Sequence, residues 1–182
     1  FYLVGLVIHD ENTNNKLLVL LILEKLEMPV NEDLLLQMCS IDNGWIPYLY
    51  CKQVLNEIIQ SGLAAKIDSQ GGRPPLISLT SDGRVCLAHF YNDIPLSRQD
   101  EVTEFIKKQR MNYRKKQEFV ADSFRNNDGS YTVTLKILEI AQTIVDIKLV
   151  VPTRAIALSI TNSWPDKAPE TYRMIYEHLI EN

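Results

Sequence analysis

Cysteine is scarce in this chain of 182 residues, and the three present, Cys39, Cys51 and Cys86, are an odd number with no close pair in sequence. That spacing offers neither a disulfide framework nor a zinc knuckle, so a reducing cytoplasm is the expected setting and each thiol is expected to act as a small buried hydrophobe. Long apolar runs are missing too. The longest, residues 17–23 and 3–8, fall far short of the roughly 20 residues that cross a bilayer, which argues against a membrane span. The stretch 1–8 has no basic leader and is followed by Asp10 and Glu11, so it makes a poor signal peptide. The three histidines, His9, His89 and His178, have no second ligand at helical spacing, and no metal or cofactor is expected. Positive charge is short where the argument below needs it: residues 1–96 hold six Lys/Arg against eleven Asp/Glu, while 97–182 hold thirteen against twelve, for a net −4 overall.

What remains is an ordinary globular composition, 46% hydrophobic and 23% charged. Asparagines at 12, 14 and 15 precede a leucine-rich segment too long for a strand, which reads as a nearly fully buried first helix stopped by Pro29. Asn31 caps a short second helix whose first turn carries Glu32 and Asp33, with an end expected near Cys39. Pro47 opens a third helix that runs to Ser61 and closes on Gly62. Its core stripe is read as Tyr50, Cys51, Val54, Leu55, Ile58 and Ile59, leaving Leu49, Lys52, Gln53, Asn56 and Gln60 outside. Leu63, Ala65 and Ile67 alternate as one strand and Ile77 and Leu79 as another, with the Gly/Pro-rich stretch 68–75 between them as a hairpin loop. Thr80 caps a fourth helix.

Pro95 and the capped start at Ser97 mark the expected boundary between residues 1–96 and 97–182. A helix with Val102, Phe105 and Ile106 on one face leads into a basic run, residues 107–116, with six cations in ten positions. Three strands follow, at 119–124, 131–135 and 144–151, the first two joined by an Asn/Asp/Gly turn at 126–129. Two closing helices are expected, one after Pro152 and one from Pro169, the latter with Tyr172, Ile175, Tyr176 and Leu179 as a core stripe or as a surface shared with another chain.

The helix order, the turn Ser61-Gly62-Leu63 and the exit Leu79-Thr80-Ser81-Asp82-Gly83-Arg84 together resemble winged-helix regulators of the multiple-antibiotic-resistance and phenolic-acid groups. Across nearly the whole chain, with Asn15-Lys16-Leu17-Leu18, Glu24-Lys25-Leu26, Ile94-Pro95 and the strand 131–135, it is similar to an uncharacterised Firmicutes domain-of-unknown-function family. The fold implied is α+β: an N-terminal winged helix-turn-helix plus a small C-terminal domain of a three-stranded antiparallel sheet with helices. The resemblance implies that the third helix enters the major groove of double-stranded DNA and that the loop 68–75 is the wing. Position by position, Gln53 and Asn56 become base readers, and Lys52, Lys66 and Arg73 phosphate contacts. A homodimer is expected, joined through residues 97–114 or 1–8.

Three functions follow in order. The first is a cytoplasmic DNA-binding transcriptional regulator. The second is a winged helix that binds a protein partner without DNA, favoured by the acidic N-terminal half and by Glu57 among the readers, since DNA affinity depends on neutralising phosphates. An enzyme is the weakest, because no nucleophile elbow, P-loop or Cys/His arrangement stands out. The basic run is read first as a solvated helix face and second as a phosphate-contacting arm.

Overall fold

The computed structural model describes residues 2–69 and 73–181, and the side chains from Glu11 onward. Among these the architecture is mixed α+β, with six α-helices and two three-stranded antiparallel sheets. Two compact units divide the chain, Phe1–Arg110 and Met111–Asn182.

In the first unit, α1 (Tyr2–Leu26) is the core helix, and Leu17 to Leu23 are all buried. It begins well before the expected asparagine caps, because helical backbone continues N-terminally through them. Val30–Asn31 forms a short strand β1, and Asn31 Oδ1 accepts from Leu34 N at 2.8 Å to start α2 (Glu32–Leu36), the cap expected from sequence. The chain then widens into a π-type turn, Gln37–Asp42, beyond the end of the short helix. The third helix, α3 (Tyr48–Gln60), starts after Pro47 and ends at Gly62, whose φ of +77° is the left-handed stop that glycine adopts at little cost.

Strand β2 (Ala64–Ile67) pairs with β3 (Leu76–Leu79), and β3 also pairs with β1, giving the order β1-β3-β2. Ala64 is the buried residue of β2 and Ala65 is exposed, which corrects the inward alternation expected for positions 63, 65 and 67. The register sets this: Ala64 pairs with Leu79 at the buried end of β3.

Thr80 caps α4 (Ser81–Phe90) by accepting from Gly83 N at 3.0 Å, and its hydroxyl donates to Gly62 O at 2.7 Å. A Cβ on Gly83 would overlap the Leu63 carbonyl oxygen. The Thr-x-x-Gly spacing therefore has a local cause: one residue caps the helix and the other lets its first turn close on the chain leaving α3. Helix α5 (Leu96–Glu118) buries Val102 and Ile106, and Trp45 meets Phe105 edge-on at 5.4 Å while donating from Nε1 to Glu101 at 2.8 Å.

The second unit is a meander, β4 (Phe119–Arg125), β5 (Tyr131–Leu138) and β6 (Thr143–Val151), with α6 (Arg154–Ile180) on one face. Val133, Leu135 and Ile137 of β5 pack with Ala157, Trp164 and Ala168 of α6. Two closing helices were the expectation; the structure has one, running through Pro165 and Pro169. Proline lacks the amide hydrogen that an inner turn needs and would ordinarily break the helix there. Trp164, buried and donating from Nε1 to Lys136 O at 3.0 Å, anchors the helix to the sheet beside the first proline, and Ala168 anchors it before the second. Packing outweighs the local cost.

Candidate nucleic-acid interface

The interface expected from sequence centres on α3. Cys51, Val54, Leu55 and Ile58 face the core, and Leu49, Lys52, Gln53, Asn56 and Gln60 are exposed, as the helical spacing requires. Tyr50 is a correction: it lies 60% exposed, in the first turn of the helix. Tyr48 and Leu49 are exposed beside it in sequence, so the entry to α3 is apolar on its outer side.

The candidate phosphate contacts do not stand free. Lys52 on α3 and Lys66 on β2 both approach the carboxylate of Glu32 in the first turn of α2, at 3.9 and 3.7 Å. These are loose, half-exposed ion pairs of the kind worth about 0–1 kcal/mol, so a phosphate can replace the carboxylate. Arg73 is half-buried at the β3 end of the loop 68–75. Residues 70–72, the glycine-bearing centre of the expected wing, lie outside the described residues.

Of the two candidate base readers, Asn56 is exposed and Gln53 is tied down. Gln53 Nε2 donates to Glu57 Oε1 at 3.0 Å, while Glu57 Oε2 meets Lys16 Nζ at 2.7 Å and accepts from Asn12 Nδ2 at 3.1 Å. The Lys16 ammonium, followed by the amides of Gln53 and Asn12, holds the Glu57 carboxyl down to about 2 from an ordinary value of 4.5. A carboxylate ionised at neutral pH thus sits one turn along α3 from Gln53. Sequence alone places Glu57 on this face; its partners Lys16 and Asn12, 41 and 45 residues earlier, leave no signal in local spacing.

The basic run, residues 107–116, lies wholly within α5. Arg110 pairs with Glu27 at 2.8 Å, Arg114 with Glu118 at 2.9 Å and Lys115 with Asp166 at 3.3 Å, and Lys116 lies 5.4 Å from the Tyr113 ring centre. Half of the six cations therefore already have carboxylate partners. Lys107 and Lys108 are exposed.

The residues that span α1 to α6 carry a family signature. The match runs from residue 15 to residue 179. The chain belongs to the DUF4364 family, described as a domain of unknown function. No curated protein and no solved structure matches it. Membership covers both units, so the family is defined by the pair and not by the α3 region alone.

Two further features bear on chemistry. Cys39 and Cys51, twelve residues apart and read as unpaired from sequence, are neighbours in the core of the first unit, both fully buried. The side-chain hydrogen bond between the two thiols raises the Cys39 thiol, with burial adding to it, and lowers that of Cys51 against the opposing effect of burial. Cys86 is only half-buried, against the expectation that all three are core. Among the described residues no group of three or more His, Cys, Asp or Glu is gathered for a metal ion, and no helix is long and apolar enough to cross a membrane.

Proposed function

We propose that the first unit is a winged helix-turn-helix that binds double-stranded DNA, and that the protein is a non-enzymatic transcriptional regulator. The observation that carries this reading is α3 itself, a 13-residue helix with one face sealed in the core and the other exposed, polar and amide-rich. The element order α1, β1, α2, α3, β2, β3, with β3 central in its sheet, supports it, since that is the arrangement in which a winged helix presents its third helix and a hairpin to one duplex. Asn56 and a released Gln53 would read base edges; Lys52, Lys66 and Arg73 would meet phosphates.

The test is capture of genomic fragments by the purified protein at moderate salt, beside a Gln53→Ala/Asn56→Ala variant. Wild-type enrichment that the double variant loses supports base reading. Binding without preference by both leaves only backbone contact, and in that case Lys52→Gln/Lys66→Gln should flatten the dependence of log affinity on log salt by about two. No enrichment at any salt rejects DNA as the partner.

A second reading has its own observation. Leu49 is 77% exposed and follows the exposed Tyr48 and precedes the exposed Tyr50 at the start of α3, in a unit that carries more acidic than basic side chains. Such a patch suits a protein partner better than a phosphate backbone. Leu49→Asp would then abolish partner capture while leaving any residual DNA affinity at low salt within about a factor of two of wild type.

A further inference from the structure

Helix α6 is longer than the sheet it covers. Its 27 residues span about 40 Å at 1.5 Å per residue, against roughly 25–30 Å for strands of seven to nine residues. Its contacts with the sheet core are made by Ala157, Ile160, Trp164 and Ala168, and among the described residues of α6 none beyond Ala168 is buried. Three further turns overhang, about 18 Å of helix.

The overhang is strongly apolar on one side. Tyr172, Ile175, Tyr176, Leu179 and Ile180 recur at the three- and four-residue spacing of a helix seam, and they are between 40 and 76% exposed. Of the two readings of this stripe, core of the second unit or a surface shared with another chain, the first is overturned: the unit's core ends one turn earlier. The rings of Tyr172 and Tyr176 stack along the seam, 5.9 Å apart with their planes 30° from parallel. Charge on the overhang lies outside the stripe, around Arg173. Arg173 pairs with Glu170 and Glu177 within the same helix, so the stripe carries no unmatched charge calling for a charged partner.

We infer that the overhanging end of α6 is a homodimer seam, and that its occupant is the same stripe of a second copy of this chain. The five side chains expose on the order of 600 Å² per copy, about 1,200 Å² for two, which reaches the lower bound of stable specific interfaces and matches or exceeds the largest apolar patch of a typical monomer. An antiparallel crossing between Ile175 and Tyr176 is self-complementary. It sets Tyr172 of each copy against Leu179 of the other and Ile175 against Tyr176, and a two-fold contact of this kind closes at two. The inference is independent of DNA binding, and among the surfaces considered from sequence it selects the α6 stripe over the segments 97–114 and 1–8.

Sedimentation velocity of the full chain from about 1 to 50 μM is the test. Wild type should run at about twice 20.9 kDa. Leu179→Glu and Tyr176→Glu should weaken self-association at least about tenfold, with unchanged circular dichroism because both side chains are exposed. Met174→Glu, on the opposite side of the same turns, should remain dimeric. Ile175→Cys in a Cys86→Ser background should cross-link copies under mild oxidation, a readout that holds even if a glutamate variant fails to fold. A wild type that stays monomeric at 50 μM overturns the inference. A dimer that Leu179→Glu leaves as tight as wild type, or that Ile175→Cys fails to cross-link, overturns it as well.

Discussion

Glu57 on α3 and Lys16 on α1 meet at 2.7 Å, tying the outer edge of the candidate reading helix to the core helix of its unit. The same carboxylate accepts from Gln53, so one ion pair restrains a proposed base reader. Its consequence is measurable in acid. The folded carboxyl is held at about 2 and its ordinary value is 4.5, so its stabilising contribution is complete above about pH 4.5 and is lost as pH falls toward 2. Nuclear magnetic resonance titration of the Glu57 side chain should return a midpoint well under 4, and Glu57→Gln should flatten stability between pH 4.5 and 2. A midpoint near 4.5 would contradict the contact.

Glu32 restrains Lys52 and Lys66 in the same way, and more loosely. Glu32→Gln removes the competing carboxylate from beside two candidate phosphate contacts. If the DNA reading holds, fluorescence anisotropy at low salt should show binding tightened by up to about fivefold, the equivalent of the ~1 kcal/mol ceiling of exposed ion pairs. Weaker binding would mean that the two lysines need Glu32 for their placement.

Gly83 and Gly62 should respond differently to alanine. At Gly83 the added methyl collides with the Leu63 carbonyl oxygen, and urea unfolding should show a loss of about 3 kcal/mol in the first unit. At Gly62 nothing lies near the new methyl, and only the φ of +77° opposes it, for about 1 kcal/mol. Equal losses would refute the close-approach account of the Thr80-x-x-Gly83 turn.

The three thiols should separate by accessibility. Brief alkylation of the native protein at pH 8, read by peptide mass spectrometry, should label Cys86 first and reach Cys39 and Cys51 only on unfolding. Rapid native labelling of Cys39 would show that the core opens there readily.

Much of the fold was legible because its signals are local. Asn31 before Glu32 and Asp33, Pro47 before α3, Gly62 after it, and Thr80 three residues before Gly83 each act within one helical turn, where capping and backbone preference decide the outcome. The outer face of α3 was legible for a related reason, since a 3.6-residue period sorts Lys52, Gln53 and Asn56 from Val54, Leu55 and Ile58. The two-residue strand β1 was too short to leave a pattern.

The sequence by itself determined where most helices and strands begin and end, which side chains α3 turns outward, and a first half poor in positive charge. Only the tertiary structure decided that Glu32 gathers Lys52 and Lys66, that Cys39 lies against Cys51, that α6 persists through two prolines and that its last three turns outrun the sheet. The difference is one of range. Caps and periodicity act through neighbouring peptide groups, whereas ion pairs, thiol contacts and the end of a packed face depend on where distant segments come to rest.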